Sequence, residues 1–142
     1  MVSPARRRRP SRLLLALALG LAASGCGKFR EISACRSIAR EVNGAIDEIE
    51  ALSKATPLDE LRVAKRYAAL ARALQPQAQG ETSLALAVRD YIAVLQATDA
   101  LLRNHAATLA AQGKASDPRR ELDRLVKRDH AAAVRIDVEC ER

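Results

Sequence analysis

The feature that most constrains this chain is a single long apolar stripe. Leu84, Val88, Tyr91, Leu95, Thr98, Leu102, His105 and Leu109 follow one another in alternating steps of four and three. That is a heptad-like seam on one helix face, at the period that favours shallow helix crossings. The spacing predicts a helix from about Thr82 to Gln112, with Gly113 as its C-terminal stop. A helix with such a seam needs partners, so the rest of the chain must supply faces that cover it.

Three other segments carry helical patterns. In the first, from about Phe29 to Lys54, Ile32, Cys35, Ile38, Val42, Ala45, Ile49 and Leu52 fall on one face. Gly44 lies mid-segment, where it either permits a close helix crossing or is a tolerated weak point. The second opens at Thr56-Pro57-Leu58-Asp59-Glu60, where Thr56 serves as N-cap and the acids sit in the first turn. Its stripe is Leu61, Ala64, Ala68, Ala71 and Leu74, widened by Tyr67 and Leu70. Gln75 to Gly80 then reads as a solvated polar loop. The last segment opens at Asp117-Pro118 and presents Leu122, Leu125, Val126, Ala133 and Ile136, interrupted by Asp129. It fades between Val138 and Cys140.

No segment has the β-branched and aromatic alternation of a strand, and Ala, Leu, Arg and Glu favour helix. The fold class is therefore all-α. Short linkers make sequential helices antiparallel neighbours, giving an up-down-up-down four-helix bundle. The alternative is a three-helix bundle with a partly docked short second helix. An Ala-rich core implies limited stability from burial.

The N-terminus has a different character. Arg6, Arg7, Arg8, Arg9 and Arg12 precede an apolar run from Leu13 to about Ala23, too short to span a bilayer. A basic region, a short apolar region and small residues make a secretory signal peptide. Pro10 interrupts the approach to the apolar run, and no twin-arginine motif forms. From these residues alone, an ordinary leader with Cys26 as one further thiol stays open. The run Leu21-Ala22-Ala23-Ser24-Gly25-Cys26 resembles a bacterial lipoprotein signal, the lipobox. The resemblance implies cleavage before Cys26, a lipid-bearing (palmitate-type) Cys26, and an envelope location. It divides the chain into a leader at 1–25, a lipidated N-terminus at 26–28 and one helical domain at 29–142. Gly27 after the cysteine fits the default pattern, which implies the outer membrane, facing the periplasm, in a two-membrane host.

Removing the leader changes the meaning of composition. The full chain carries 24 basic and 17 acidic residues, for a net charge of +7. Five of the basic residues and none of the acidic ones lie in the leader, so the remainder is nearly balanced and its charges are interspersed. That is a solvated helical surface and no polyanion site. With no Trp, one Phe and two Tyr, the stacking platforms of single-stranded nucleic-acid binders are missing as well. Nucleic acid is excluded as a partner class.

With Cys26 assigned to lipid, Cys35 and Cys140 remain. In an up-down-up-down bundle the start of the first helix and the end of the last lie at one pole, so a Cys35–Cys140 disulfide is expected. An oxidising compartment lets it form. Only Gly27 and Lys28 separate Cys26 from the helical pattern, so the disulfide pole should face the bilayer. Lys28, Arg30, Arg36 and Arg142 are candidate contacts to anionic headgroups, opposed by Glu31, Glu139 and Glu141.

Candidate chemistry is sparse. His105 lies on the long seam and reads as a boundary histidine with a hydrogen-bond partner. His130 neighbours Asp129, but adjacent helix residues do not face each other. No Glu-x-x-His, His-x-x-x-His or Cys-x-x-Cys-His spacing occurs, so no metal or haem is expected. Gly-rich phosphate loops and the Gly-x-Ser-x-Gly elbow are absent too, and no cofactor is expected. Asp129 is the one misplaced charge, either at the boundary or paired with an arginine such as Arg103. The run from Asp117 to Arg124 reads as a solvated face of paired charges.

The sequence thus favours a small, noncatalytic, membrane-anchored envelope lipoprotein, a protein-interaction or structural module with an envelope protein as partner. The alternative is a ligand-binding or stress-sensing module, which requires an open apolar groove. No constellation of nucleophile, base and electrophile supports an enzyme.

Overall fold

The computed structural model describes residues 12–55 and 58–142, with side chains from residue 27 onward. The expectations placed on the arginine cluster before Arg12, on the lipobox side chains and on Thr56-Pro57 lie outside the described residues. The order of elements is α1 (Arg12–Ser53), α2 (Glu60–Ala73), a 3₁₀ turn (Gln75–Ala78), α3 (Ser83–Gln112) and α4 (Arg119–Glu141). Among the described residues there are four α-helices and no strand, as the all-α reading expects. None of these helices is long and apolar enough to cross a membrane.

By compactness the chain divides into residues 1–33 and residues 34–142. In the first unit the described residues are helical, and Phe29 and Ile32 are solvent-exposed. The second unit contains the core.

Helix α3 is the centre of that core. It packs against α2, against the 3₁₀ turn and against α4. Leu84, Val88, Tyr91, Leu95, Thr98 and Leu102 are all buried, and Ala85, Ala87, Ile92 and Val94 extend the buried surface to its flanks. Thr98 is accommodated because its hydroxyl donates to the Val94 carbonyl at 3.0 Å. The seam stops earlier than its period predicts. His105 is only partly buried and Leu109 is exposed, because the neighbouring helices end before that turn is covered.

Helix ends follow their local chemistry. Thr82 Oγ1 accepts the Ala85 amide at 3.1 Å and opens α3. Gly113 closes it at φ +67°, a left-handed conformation that favours glycine. The N-cap of α2 is Asp59, whose carboxylate accepts the Arg62 amide at 3.1 Å. At α4 the Asp117 carboxylate accepts the Arg119 amide at 3.0 Å, with Pro118 between them.

Some assignments shift. On α2, Leu61 is exposed and Val63 is buried, since the buried face centres on Val63, Ala64, Leu70 and Ala71. On α4, Val126 is exposed and Ala132 is buried, because the face turned inward centres on Leu125, Ala132 and Ile136. Helix α4 also continues through Cys140 to Glu141 where the sequence pattern fades. The Gln-rich stretch is solvated at Gln75, Pro76, Gln79 and Gly80, as expected, but it is a 3₁₀ turn in which Ala78 is buried and Gln77 Nε2 donates to Ser37 Oγ at 3.2 Å. A Cβ at Gly44 would meet nothing within 4 Å, so no close helix crossing depends on that glycine.

Cys35 and Cys140 form a disulfide with a Cα–Cα distance of 5.8 Å, closing a sequence separation of 105 residues. Ile38, Ala45, Ala132 and Ile136 join the α3 residues in the same core cluster, so α1 and α4 both contribute to it.

Two stability outcomes follow from this packing. Cys140→Ala should lower the unfolding free energy by about 2–5 kcal/mol, because it frees a long loop in the unfolded chain. Urea unfolding of the oxidised protein tests this, and an unchanged midpoint would count against it. Gly44→Ala should raise stability by about 0.5–1 kcal/mol, since its site is helical, exposed and unobstructed. A fall in thermal midpoint would show that the glycine has a packing role.

Candidate functional site

Three places bring polar or apolar groups together in a way that bears on function. The first joins α2 to α3. Glu60, in the first turn of α2, places its Oε2 2.7 Å from His105 Nδ1. Both side chains are largely buried, at 20% and 15% exposed. His105 therefore has a hydrogen-bond partner, as expected of a boundary histidine. The partner was not identified by the sequence. Its signal is that Glu60 opens α2 while His105 lies late in α3, ends that an antiparallel pairing brings together.

The second place surrounds Asp129. Its carboxyl pKa is raised, by burial first and with His130 opposing the rise. Asp129 in turn raises Tyr67 and Tyr91, both already pushed up by burial; Tyr91 lies well above the ordinary phenol range. Arg103 does not reach Asp129. It pairs with Asp99 at 2.6 Å, one turn earlier on its own helix, a shorter reach than the neighbouring helix offers. Asp129 has no ion pair among the described residues; it is a half-buried carboxylate whose charge is felt by two phenols.

The third place is the disulfide end of the second unit. An open apolar groove of about 530 Å³ lies between α1 and α4, with Tyr91 of α3 in its wall. Ile38, Val42, Ile46, Ala133 and Ile136 give it an aliphatic lining, and Cys35 and Cys140 border it. Its polar groups are Arg36 and Asn43 from α1 and Asp137 from α4. This is the kind of groove that the ligand-binding alternative requires. A smaller pocket of about 230 Å³ lies between α3 and α4, where Arg135 pairs with Asp90 at 2.5 Å and Arg128 is adjacent.

The candidate headgroup contacts fall in different units. Lys28 and Arg30 are exposed in the first, and Arg36 and Arg142 are exposed in the second. Arg142 pairs with Glu139 at 3.1 Å, and Ser83 Oγ donates to the same carboxylate at 2.6 Å. The guanidinium of Arg142 thus already has a local anion. Among the described residues no three His, Cys, Asp or Glu side chains gather as a metal site would need, and His130 is exposed. The α4 run is solvated and paired as expected, with Arg119–Asp117 at 3.2 Å and Arg124–Glu121 at 3.0 Å. Compared with protein-family models, with curated proteins and with solved structures, the chain matches none of them.

The Asp129 environment gives a pH-dependent prediction. The native carboxyl pKa lies above the unfolded value near 3.8. The native state therefore binds the proton more tightly, and stability falls as pH rises through the native pKa. Asp129→Asn should raise the thermal midpoint at pH 7, and the gain should vanish below pH 3.8. An Asn variant that is less stable at pH 7 would show that the ionised carboxylate has a partner it stabilises.

Proposed function

We propose that this chain is a noncatalytic, lipid-anchored module of a bacterial cell envelope, held close to the bilayer as a structural or protein-interaction unit. The observation that carries the reading is the run Leu21 to Cys26, placed directly after an arginine cluster and a short apolar segment. The Cys35–Cys140 disulfide supports it in two ways. Such bonds persist in oxidising compartments outside the cytosol. The pairing also uses two of the three cysteines and leaves Cys26 for the lipid.

In this reading the signal peptide is cut before Cys26, which becomes the first residue of the anchored protein. Gly27 in the next position directs it to the outer membrane of a two-membrane host. The bundle is taken as up-down-up-down, a topology supported by a bond between the beginning of α1 in the second unit and the last turn of α4. The short stretch from Cys26 to Cys35 limits how far the disulfide-bearing end can stand from the bilayer. Lys28, Arg30, Arg36 and Arg142 then contribute weakly to anionic headgroups, on the order of 1 kcal/mol each. An envelope protein is the partner, meeting the face of the bundle turned away from the lipid.

Cys26→Ser tests the anchor. The variant should leave the membrane fraction or accumulate with its leader attached, and mass spectrometry of the parent should show an acylated N-terminal cysteine. A variant that is processed and still fractionates with membranes would overturn the lipid assignment.

A further inference from the structure

We propose that the groove between α1 and α4 binds one acyl chain of a single-chain zwitterionic phospholipid, with the headgroup at Arg36 and Asp137. The lining sets the class of ligand. Ile38, Val42, Ile46, Ala133 and Ile136 are aliphatic, and the one aromatic ring in the wall is Tyr91, which the core already buries. A flat aromatic ligand has no stacking platform there, whereas a flexible methylene chain meets aliphatic surface along the groove.

Size narrows the choice further. About 530 Å³ lies within the usual range of small-ligand sites, roughly 300–1,000 Å³. A globular partner or second copy needs about 800 Å² on each side for a stable interface, far more than a groove of this size provides. A single acyl chain makes no such demand on area and suits a volume of this size.

Charge completes the assignment. The groove carries one cation, Arg36, and one anion, Asp137, and these two form no ion pair with each other. A free fatty acid would satisfy the guanidinium and meet repulsion from the carboxylate. A headgroup with a phosphate and an ammonium complements both. This inference takes up the ligand-binding alternative and is independent of the lipid anchor.

The test uses the full-length oxidised chain carrying Cys26→Ser, so that no attached lipid competes. Palmitoyl lysophosphatidylethanolamine is titrated below its critical micelle concentration and followed by calorimetry. Saturable one-to-one binding is expected. Ala39→Trp, at an exposed position lining the groove, should abolish it by filling the space. Ile46→Glu, at a half-exposed lining position, should abolish it by making the wall polar, and serves if the tryptophan variant fails to fold. Arg36→Glu should weaken binding roughly tenfold by removing a charge-assisted contact to phosphate. Absence of saturable binding, or binding that survives in either folded groove variant, would overturn the site. Equally tight binding of palmityl alcohol, together with an unaffected Arg36→Glu, would overturn the headgroup assignment.

Discussion

Burial of one helix on several sides at once is the constraint on which the second unit depends. Helix α3 carries a long apolar seam, and α2, the 3₁₀ turn and α4 all pack against it. Its largest fully buried groups are Tyr91, Leu95 and Val88, and Leu70 and Leu74 of the α2 segment complete the set. Leu125 and Ile136 of α4 add bulk, but much of the remaining core is alanine. Alanine lets helix backbones approach closely but removes little apolar surface per residue from water. A core of this kind depends on covering the same few large side chains from every direction. The 3₁₀ turn makes sense in these terms, because Ala78 closes the core beside Leu74 where a free polar loop would leave it open.

The disulfide acts on the other side of the balance. It restrains the unfolded chain over a separation of 105 residues, and that effect does not require large side chains in the native core. It also borders an opening in the apolar packing. The groove opens beside Cys35 and Cys140, and Ile46 remains about half exposed along it. A covalent tie at the edge of a groove holds α1 to α4 without filling the space between them. An apolar interface of the same strength would have had to close it.

What the sequence made legible were the features set by local spacing. The seam from Leu84 to Leu102, the Thr82 cap, the Gly113 stop and the Asp117 turn all depend on neighbours within one or two turns. The cysteine pairing was legible because helix count and linker length fix which ends meet. Less accessible were features that depend on a partner element's rotation. Leu61 and Val63 differ by little in pattern, and only the position of α3 decides which is covered. Glu60 was counted as a first-turn acid, and nothing local shows that it meets His105. Gln77 reads as a loop residue until Ser37 of α1 is placed beside it. Arg103 failed as a partner for Asp129 because a closer acid, Asp99, lies on its own helix.

Asp129 shows why the groove and the core cannot be treated separately. Leu122, Asp129, Ala133, Ile136 and Cys140 recur along one side of α4, so the carboxylate occupies a position whose pattern calls for an apolar side chain. Burial raises its pKa, and its field raises Tyr91, the residue whose ring forms both core and groove wall. An aliphatic residue in its place would continue the α4 stripe and strengthen the core. The ionised group instead leaves a half-buried charge in whose field both Tyr67 and Tyr91 hold their protons more tightly, a position that burial itself disfavours.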